Sequence, residues 1–90
     1  MPGKSSKKRV DFTIHAPGAQ QVCVAGTFNE WDISARPLRR GKGDQWRTWM
    51  SLPPGDYEYQ FVVDGRWRED PACGQSRPTP YGSHNSVFQV

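Results

Sequence analysis

One stretch of the chain, residues 56–71 (DYEYQFVVDGRWREDP), restricts the possible fold more than any other. From Tyr57 to Val63, aromatic and β-branched residues alternate with polar ones, and this period of two predicts a strand with one buried face. Asp64-Gly65 follows, and Asp-Gly between two such runs favours a type I′ turn, because both central residues of that turn need positive φ. The stretch therefore predicts a β-hairpin.

The two-residue turn also sets the register of the hairpin. The expected cross-strand pairs are Val63–Arg66, Val62–Trp67 and Gln60–Glu69. With Tyr59, Phe61 and Val63 directed into the core, the outer face is shared by Gln60, Val62 and Trp67. An indole on the outer face of a hairpin is the first indication of a binding surface.

The rest of the chain predicts more short strands and no helix. Strand patterns cover residues 9–15, 21–25, 45–52 and 85–90. Between them lie a turn with two aromatics (26–32), a polar, basic connection in which Leu38 packs back on the core (33–44) and an irregular, proline-rich segment (71–81). Short strands separated by turns every 8–12 residues predict an all-β sandwich of about seven antiparallel strands.

Length and charge predict a single domain. Residues 10–90 form it, preceded by a flexible basic tail at 1–9, which no apolar run follows as it would in a signal peptide. The net charge of +3 comes largely from this tail and from the basic connection, so neither nucleic acid nor a membrane is an expected partner. We expect a cytoplasmic protein in which Cys23 and Cys73 are free thiols.

Nothing in the sequence predicts catalysis. The carboxylate pairs Asp56/Glu58 and Glu69/Asp70 fall on solvent-facing positions of a chain too short for a deep cleft. The cysteines and histidines lack the spacing of metal ligands, and no glycine-rich loop precedes a helix. The expectation is a protein without catalytic residues, metal or cofactor.

The tryptophans are more informative. Trp46 fits the buried face of a strand, whereas Trp31 lies in a turn and Trp67 on the outer face of the hairpin. Exposed indoles reduce solubility and mark binding surfaces or partner interfaces. Trp49, which points away from the buried face, either joins that surface or covers a sheet edge.

Three separated motifs carry a family resemblance. Residues 26–31 (GTFNEW), 52–67 with Asp70-Pro71, and 85–87 (NSV) resemble carbohydrate-binding module family 48, which includes the glycogen-binding domain of AMP-activated protein kinase β subunits. The resemblance runs from about Val10 to Val90 and implies an immunoglobulin-like, early-set β-sandwich.

The resemblance also implies a set of sugar-binding residues. The family's stacking tryptophans fall on Trp31 and Trp67, and its sugar-bonding asparagine falls on Asn85. Ser83 takes the place of a threonine and Tyr81 that of a leucine. Gln60 replaces a lysine on the outer face of the hairpin, where an amide can donate to a sugar hydroxyl without bringing charge.

These observations predict a non-catalytic module that binds α-1,4-glucan (glycogen, starch or maltooligosaccharide) as a monomer or weak dimer. Indole faces suit the C–H faces of glucose, and amides suit its hydroxyls. The alternative is an interaction domain that packs against a glycan-active enzyme or a second copy of itself through the same tryptophans.

Overall fold

A computed structural model describes residues 7–90 and shows two antiparallel sheets packed face to face. The strands of these residues are β1 (Lys8–His15), β2 (Val22–Gly26), β3 (Arg39–Arg40), β4 (Gln45–Leu52), β5 (Asp56–Val63), β6 (Arg66–Arg68), β7 (Ser76–Pro78) and β8 (His84–Gln89). The one helical segment among them is a three-residue 3-10 turn, Lys42–Asp44, and no helix there is long enough to cross a membrane. The predicted all-β sandwich is confirmed.

The first sheet has the order β1-β4-β3. Along β4, buried and exposed side chains alternate as the period of two predicts, with Trp46, Met50 and Leu52 facing inward. Phe12 and Ile14 do the same on β1. The opposite surface of this sheet is polar, apart from the half-exposed Trp49.

The second sheet is built around β5. Its order is β2-β5-β8-β7, and β6 pairs with the end of β5 beyond β8. The hairpin register is confirmed for Val63–Arg66 and Val62–Trp67, and the ladder extends to Phe61–Arg68. The predicted Gln60–Glu69 pair is absent from it, because β6 ends at Arg68.

The core is an aromatic cluster between the sheets. Phe12 packs against Phe28, Tyr59 and Phe88 at ring-centroid distances of 5.2–5.8 Å, mostly edge to face. Phe61 is completely buried beside Tyr59. Such contacts add about 0.5–1.5 kcal/mol per pair beyond area burial, which favours folding of a small domain whose hydrophobic content is 34%.

Two predicted loops are more regular than expected. In the segment predicted as a polar connection, Pro37 forms an isolated β-bridge with Cys23 of β2, and Leu38 is buried as expected. The chain then crosses to the first sheet as β3. The segment predicted as irregular contains β7, which pairs with β8. Both strands are too short to show a period of two, so only their pairing with strands distant in sequence makes them recognisable as strands.

The predicted tail is shorter than expected at its C-terminal end. Lys8 and Arg9 pair with Leu52 and Ser51 in the first sheet, so the ordered domain begins before residue 10. Residues 1–6 of that predicted tail lie outside the described residues. Cys23 is buried and Cys73 half-buried, and neither forms a disulfide.

Candidate carbohydrate-binding site

The hairpin turn fixes the position of Trp67. Asp64 and Gly65 both have positive φ (50° and 82°), as a type I′ turn requires. The carboxylate of Asp64 accepts hydrogen bonds from the backbone N–H groups of Gln20 and Gln21, both at 2.9 Å, which ties the hairpin to the start of β2. Trp67 stands opposite Val62 and keeps 51% of its surface exposed. The indole is therefore accessible on a restrained support.

The turn at residues 26–31 (GTFNEW) positions Trp31. Its first two residues, glycine and threonine, are required by the contacts of the turn with β5. A Cβ on Gly26 would lie 2.3 Å from the carbonyl oxygen of Glu58, so the close approach to β5 requires glycine. The N–H of Thr27 donates to that same carbonyl (2.9 Å), and its Oγ1 accepts from the N–H of Glu58 (3.2 Å). The turn is thereby attached to the centre of β5.

The second half of the turn carries the indole. Asn29 accepts from the N–H of Gly26 (3.0 Å) and donates to the carbonyl of Val24 (3.2 Å). Glu30 and Trp31 adopt left-handed backbone conformations, with φ of 55° and 60°, and the N–H of Trp31 donates to the carbonyl of Gly26 (2.9 Å). This backbone directs the indole back onto the sheet.

Trp31 and Trp67 meet on the outer face of the second sheet. Their ring centroids are 6.1 Å apart and the rings are inclined by 59°. Trp31 covers a small buried cluster of Cys23, Ala25 and Val62. A sugar held between two rings would need about 8 Å, twice a van der Waals contact of about 4 Å. The pair therefore forms a bent platform on which neighbouring rings can stack.

A chain of polar side chains lies next to the platform. Gln60 Nε2 donates to Asn85 Oδ1 (2.8 Å), and Asn85 Nδ2 donates to Glu58 Oε1 (3.0 Å). Arg77 donates to the other oxygen of that carboxylate at 2.9 Å. The network fixes the orientation of the Asn85 amide and leaves it one N–H and one lone pair for a ligand.

Gln60 lies on the predicted face, but it is buried there. Only 6% of its surface is exposed. The side chains that line the groove with it include Thr27 and Trp31 of the GTFNEW turn and Asn85 of β8. Its amide is directed at Asn85. The expectation that it donates directly to a sugar stays a prediction, and its visible role is to hold Asn85.

The last part of the site is the turn at residues 79–83. The Oγ atoms of Thr79 and Ser83 are hydrogen-bonded at 3.0 Å, and the N–H of Thr79 donates to the carbonyl of Ser83 (2.8 Å). Gly82 has a φ of 86°, which allows the reversal. Tyr81 projects from the tip with 91% of its surface exposed.

These elements line a groove of about 660 Å³ that contains all six residues predicted from the sequence. Its walls are Thr27, Trp31, Glu58, Gln60, Trp67, Pro78, Thr79, Pro80, Tyr81, Ser83 and Asn85. Sequence reasoning missed Glu58, which it treated as a solvated charge. The signal was available, because Glu58 is two residues before Gln60 and must share its face.

Two ionisable groups outside the groove lining have shifted pKa values. Burial raises the pKa of Tyr59 above its ordinary value, and the hydrogen bond that its hydroxyl donates to Asp70 acts in the same direction. At the end of the GTFNEW turn, hydrogen bonds from the backbone and hydroxyl of Ser34 lower the pKa of Asp32. In the described residues no cluster of His, Cys, Asp and Glu could hold a metal ion.

Comparison with known proteins identifies relatives of this chain. Residues 9–90 match the family model of the glycogen recognition site of AMP-activated protein kinase. The β-1 subunit of that kinase from Sus scrofa is 36% identical over 76 residues, which cover 81% of this chain and 57% of the relative. A 1,4-α-glucan branching enzyme from Xanthomonas euvesicatoria is 34% identical over 76 residues, covering 79% of this chain and 10% of the enzyme.

A solved structure shows the same fold. A maltogenic amylase from S. marinus superposes with a TM-score of 0.78 over 94% of this chain and 14% of the amylase, at 23% sequence identity. At that identity the likeness concerns the fold alone. The chain spans little more than half the length of the kinase subunit from Sus scrofa and far less of the two enzymes.

Proposed function

Since the chain belongs to the family of glycogen recognition sites of AMP-activated protein kinase, we propose that it binds α-1,4-glucan without catalysing a reaction. The observation that carries this proposal is the bent platform of Trp31 and Trp67, inclined by 59° beside the oriented amide of Asn85. The platform offers two apolar faces in different planes and the amide offers a donor and an acceptor. A curved glucan needs both.

The inclination of the indoles selects the shape of the ligand. An α-1,4-linked chain curves, so successive glucose rings turn by an angle and can each lie on one indole. A flat β-1,4-linked chain can lie on one indole at a time. Maltoheptaose should therefore bind more tightly than cellohexaose of similar size.

The binding should be weak. Each sugar hydroxyl leaves water for a hydrogen bond worth a net of about 0.5–1.5 kcal/mol, and each indole provides one stacking face. Together these terms place the expected dissociation constant between micromolar and millimolar. The proposal makes glucan the ligand of the groove. It also includes a cytoplasmic location and, as a second candidate partner, an enzyme that acts on glucans.

Isothermal titration calorimetry with β-cyclodextrin tests the proposal. We expect heat of binding for the parent chain and none for the double variant Trp31→Ala, Trp67→Ala at the same concentrations. Trp49→Ala is the matched control, since it removes a half-exposed indole from the other sheet. Unchanged binding by the double variant would refute the proposal.

The rival function is a protein interface built from the same tryptophans. Size-exclusion chromatography with and without maltoheptaose separates the two. A dimer that the sugar leaves intact, and that the double tryptophan variant abolishes, would favour the interface. The ordered Asn85 network favours the sugar, because a protein interface requires no such amide.

A further inference from the structure

The groove that contains Trp31 and Trp67, here called the proposed glucan groove, lies on the second sheet. The outer surface of the first sheet, on the opposite side of the domain, is strongly basic. We call it the basic face and define it by Arg9, Arg36, Arg39, Lys42, Arg47 and Trp49. These residues line a second groove of about 960 Å³. Among the residues that line it, Arg40 adds a sixth cation, and Asp11 is the one carboxylate.

Two arginines of the basic face stand directly opposite each other. Arg39 on β3 pairs with Arg47 on β4, so their side chains leave the sheet side by side. Like charges in this position destabilise a sheet. Within residues 7–90 neither guanidinium forms an ion pair, whereas Arg9 pairs with Asp11 and Arg40 with Asp44. The pair therefore lacks a counter-anion of its own.

Trp49 is a second unfavourable feature on the same surface. Its indole is 51% exposed and sits next to Arg47 on the same face of β4. The guanidinium of Arg9 lies 4.7 Å from the centre of the ring, held there by its hydrogen bond to Asp11 (3.1 Å). Arg9 thus covers part of the indole, and about half of the surface of Trp49 stays exposed to solvent.

We propose that the basic face docks an acidic segment of a partner protein. Guanidinium groups match carboxylates in a bidentate geometry, so a glutamate or aspartate bound between Arg39 and Arg47 would supply the missing counter-anion. An apolar side chain of the same segment would cover Trp49. Arginine and tryptophan are also the residue types that dominate binding energy at protein interfaces.

The composition of the face favours a polypeptide over a nucleic acid. Single-stranded nucleic acid is bound by several aromatic side chains on which successive bases stack. The basic face has a single exposed indole, and that indole is partly covered by Arg9. An acidic peptide needs one anchor and a few arginines, which are present.

A peptide titration of the full chain tests the docking site. The probe is a fluorescein-labelled 12-residue peptide of glutamates with one central phenylalanine, and its control has glutamines in place of the glutamates. Anisotropy in low salt should show binding of the first peptide only. In NMR spectra, the side-chain signals of Arg39, Arg47 and Trp49 should shift, and those of Trp31 and Trp67 should not.

Two double variants with the same loss of charge separate a site from general attraction. Arg39→Gln with Arg47→Gln should weaken peptide binding at least tenfold. Arg66→Gln with Arg68→Gln removes two exposed arginines from the hairpin and should weaken it less than twofold. Both variants should keep the β-cyclodextrin affinity of the parent, which shows that they are folded and that the glucan site is separate.

The free protein provides an independent readout. Because the paired arginines repel each other, Arg39→Gln alone should raise the melting temperature by about 1–5 °C in low salt. The gain should vanish in high salt, where the repulsion is screened.

Three results would overturn the docking site. The first is equal weakening of peptide binding by the two double variants. The second is tighter binding of a single-stranded oligonucleotide at the same signals, which would assign the face to nucleic acid. The third is the absence of peptide binding to the parent chain.

Discussion

Removal of the more exposed indole gives the sharpest test of the proposed glucan groove. The substitution is Trp67→Ala. A tryptophan has up to about 250 Å² of surface, and 51% of it is exposed here. A stacked glucose covers one of the two ring faces, or about 60 Å² of the exposed part. At about 25 cal/mol per Å² this is about 1.5 kcal/mol, which corresponds to an increase in Kd of about tenfold.

Calorimetry with β-cyclodextrin measures this effect directly. The variant should stay folded, because Trp67 is on a short strand at the surface and contributes little to the core. Trp67→Phe should recover part of the loss, since a smaller ring keeps a stacking face. Trp49→Ala should bind like the parent.

Two outcomes would contradict the reasoning. A Kd of Trp67→Ala within twofold of the parent would mean that the indole does not touch the sugar. An equal loss for Trp49→Ala would mean that exposed indoles act through solubility or a general effect. A melting curve of each variant distinguishes loss of binding from loss of fold.

Three further predictions concern the support of the site. Gly26→Ala should destabilise the domain by about 1–3 kcal/mol or more, because its Cβ would lie 2.3 Å from a backbone oxygen, whereas Gly74→Ala, with open space around it, should leave the melting temperature unchanged. Glu58→Ala should raise the Kd for β-cyclodextrin about two- to tenfold by releasing the Asn85 amide. Glu58→Gln, which keeps an acceptor for it, should bind more like the parent, and equal effects of the two would argue against positioning. The pKa of Tyr59 is raised in the folded state, so above about pH 10 the unfolded chain loses a proton that the folded chain keeps. Stability should therefore fall as pH rises, by at most about 1.4 kcal/mol per pH unit. Tyr59→Phe should flatten that decline in chemical denaturation, and an unchanged slope would exclude the tyrosine as its source.

The hairpin could be predicted because its determinants are local. The period of two from Tyr57 to Val63 and the Asp64-Gly65 turn specify both the strand and its pairing, and the observed register agrees for Val62 and Val63. The exposure of Trp67 follows from that register. Long strands with a clear alternation, such as β4, were predictable for the same reason.

Properties that depend on which strands are neighbours could not be predicted. Gln60 and Glu58 face outward by parity, but their burial and partners come from β8, which brings Asn85 alongside. Nothing local to β5 reveals that β8 is its neighbour. The same applies to β3, whose two residues are a strand because they pair with Arg47 and Trp46.

The backbone around Trp31 connects the fold to the site. A bulky residue in the left-handed region is strained by about 1–3 kcal/mol and persists where surrounding contacts determine it. Here the N–H of Trp31 donates to Gly26, and the indole covers Cys23, Ala25 and Val62. The strained conformation aims the ring at Trp67, so the platform exists before a ligand arrives. A preformed platform has little ordering entropy to lose on binding, and a groove with few contacts can then still hold a sugar.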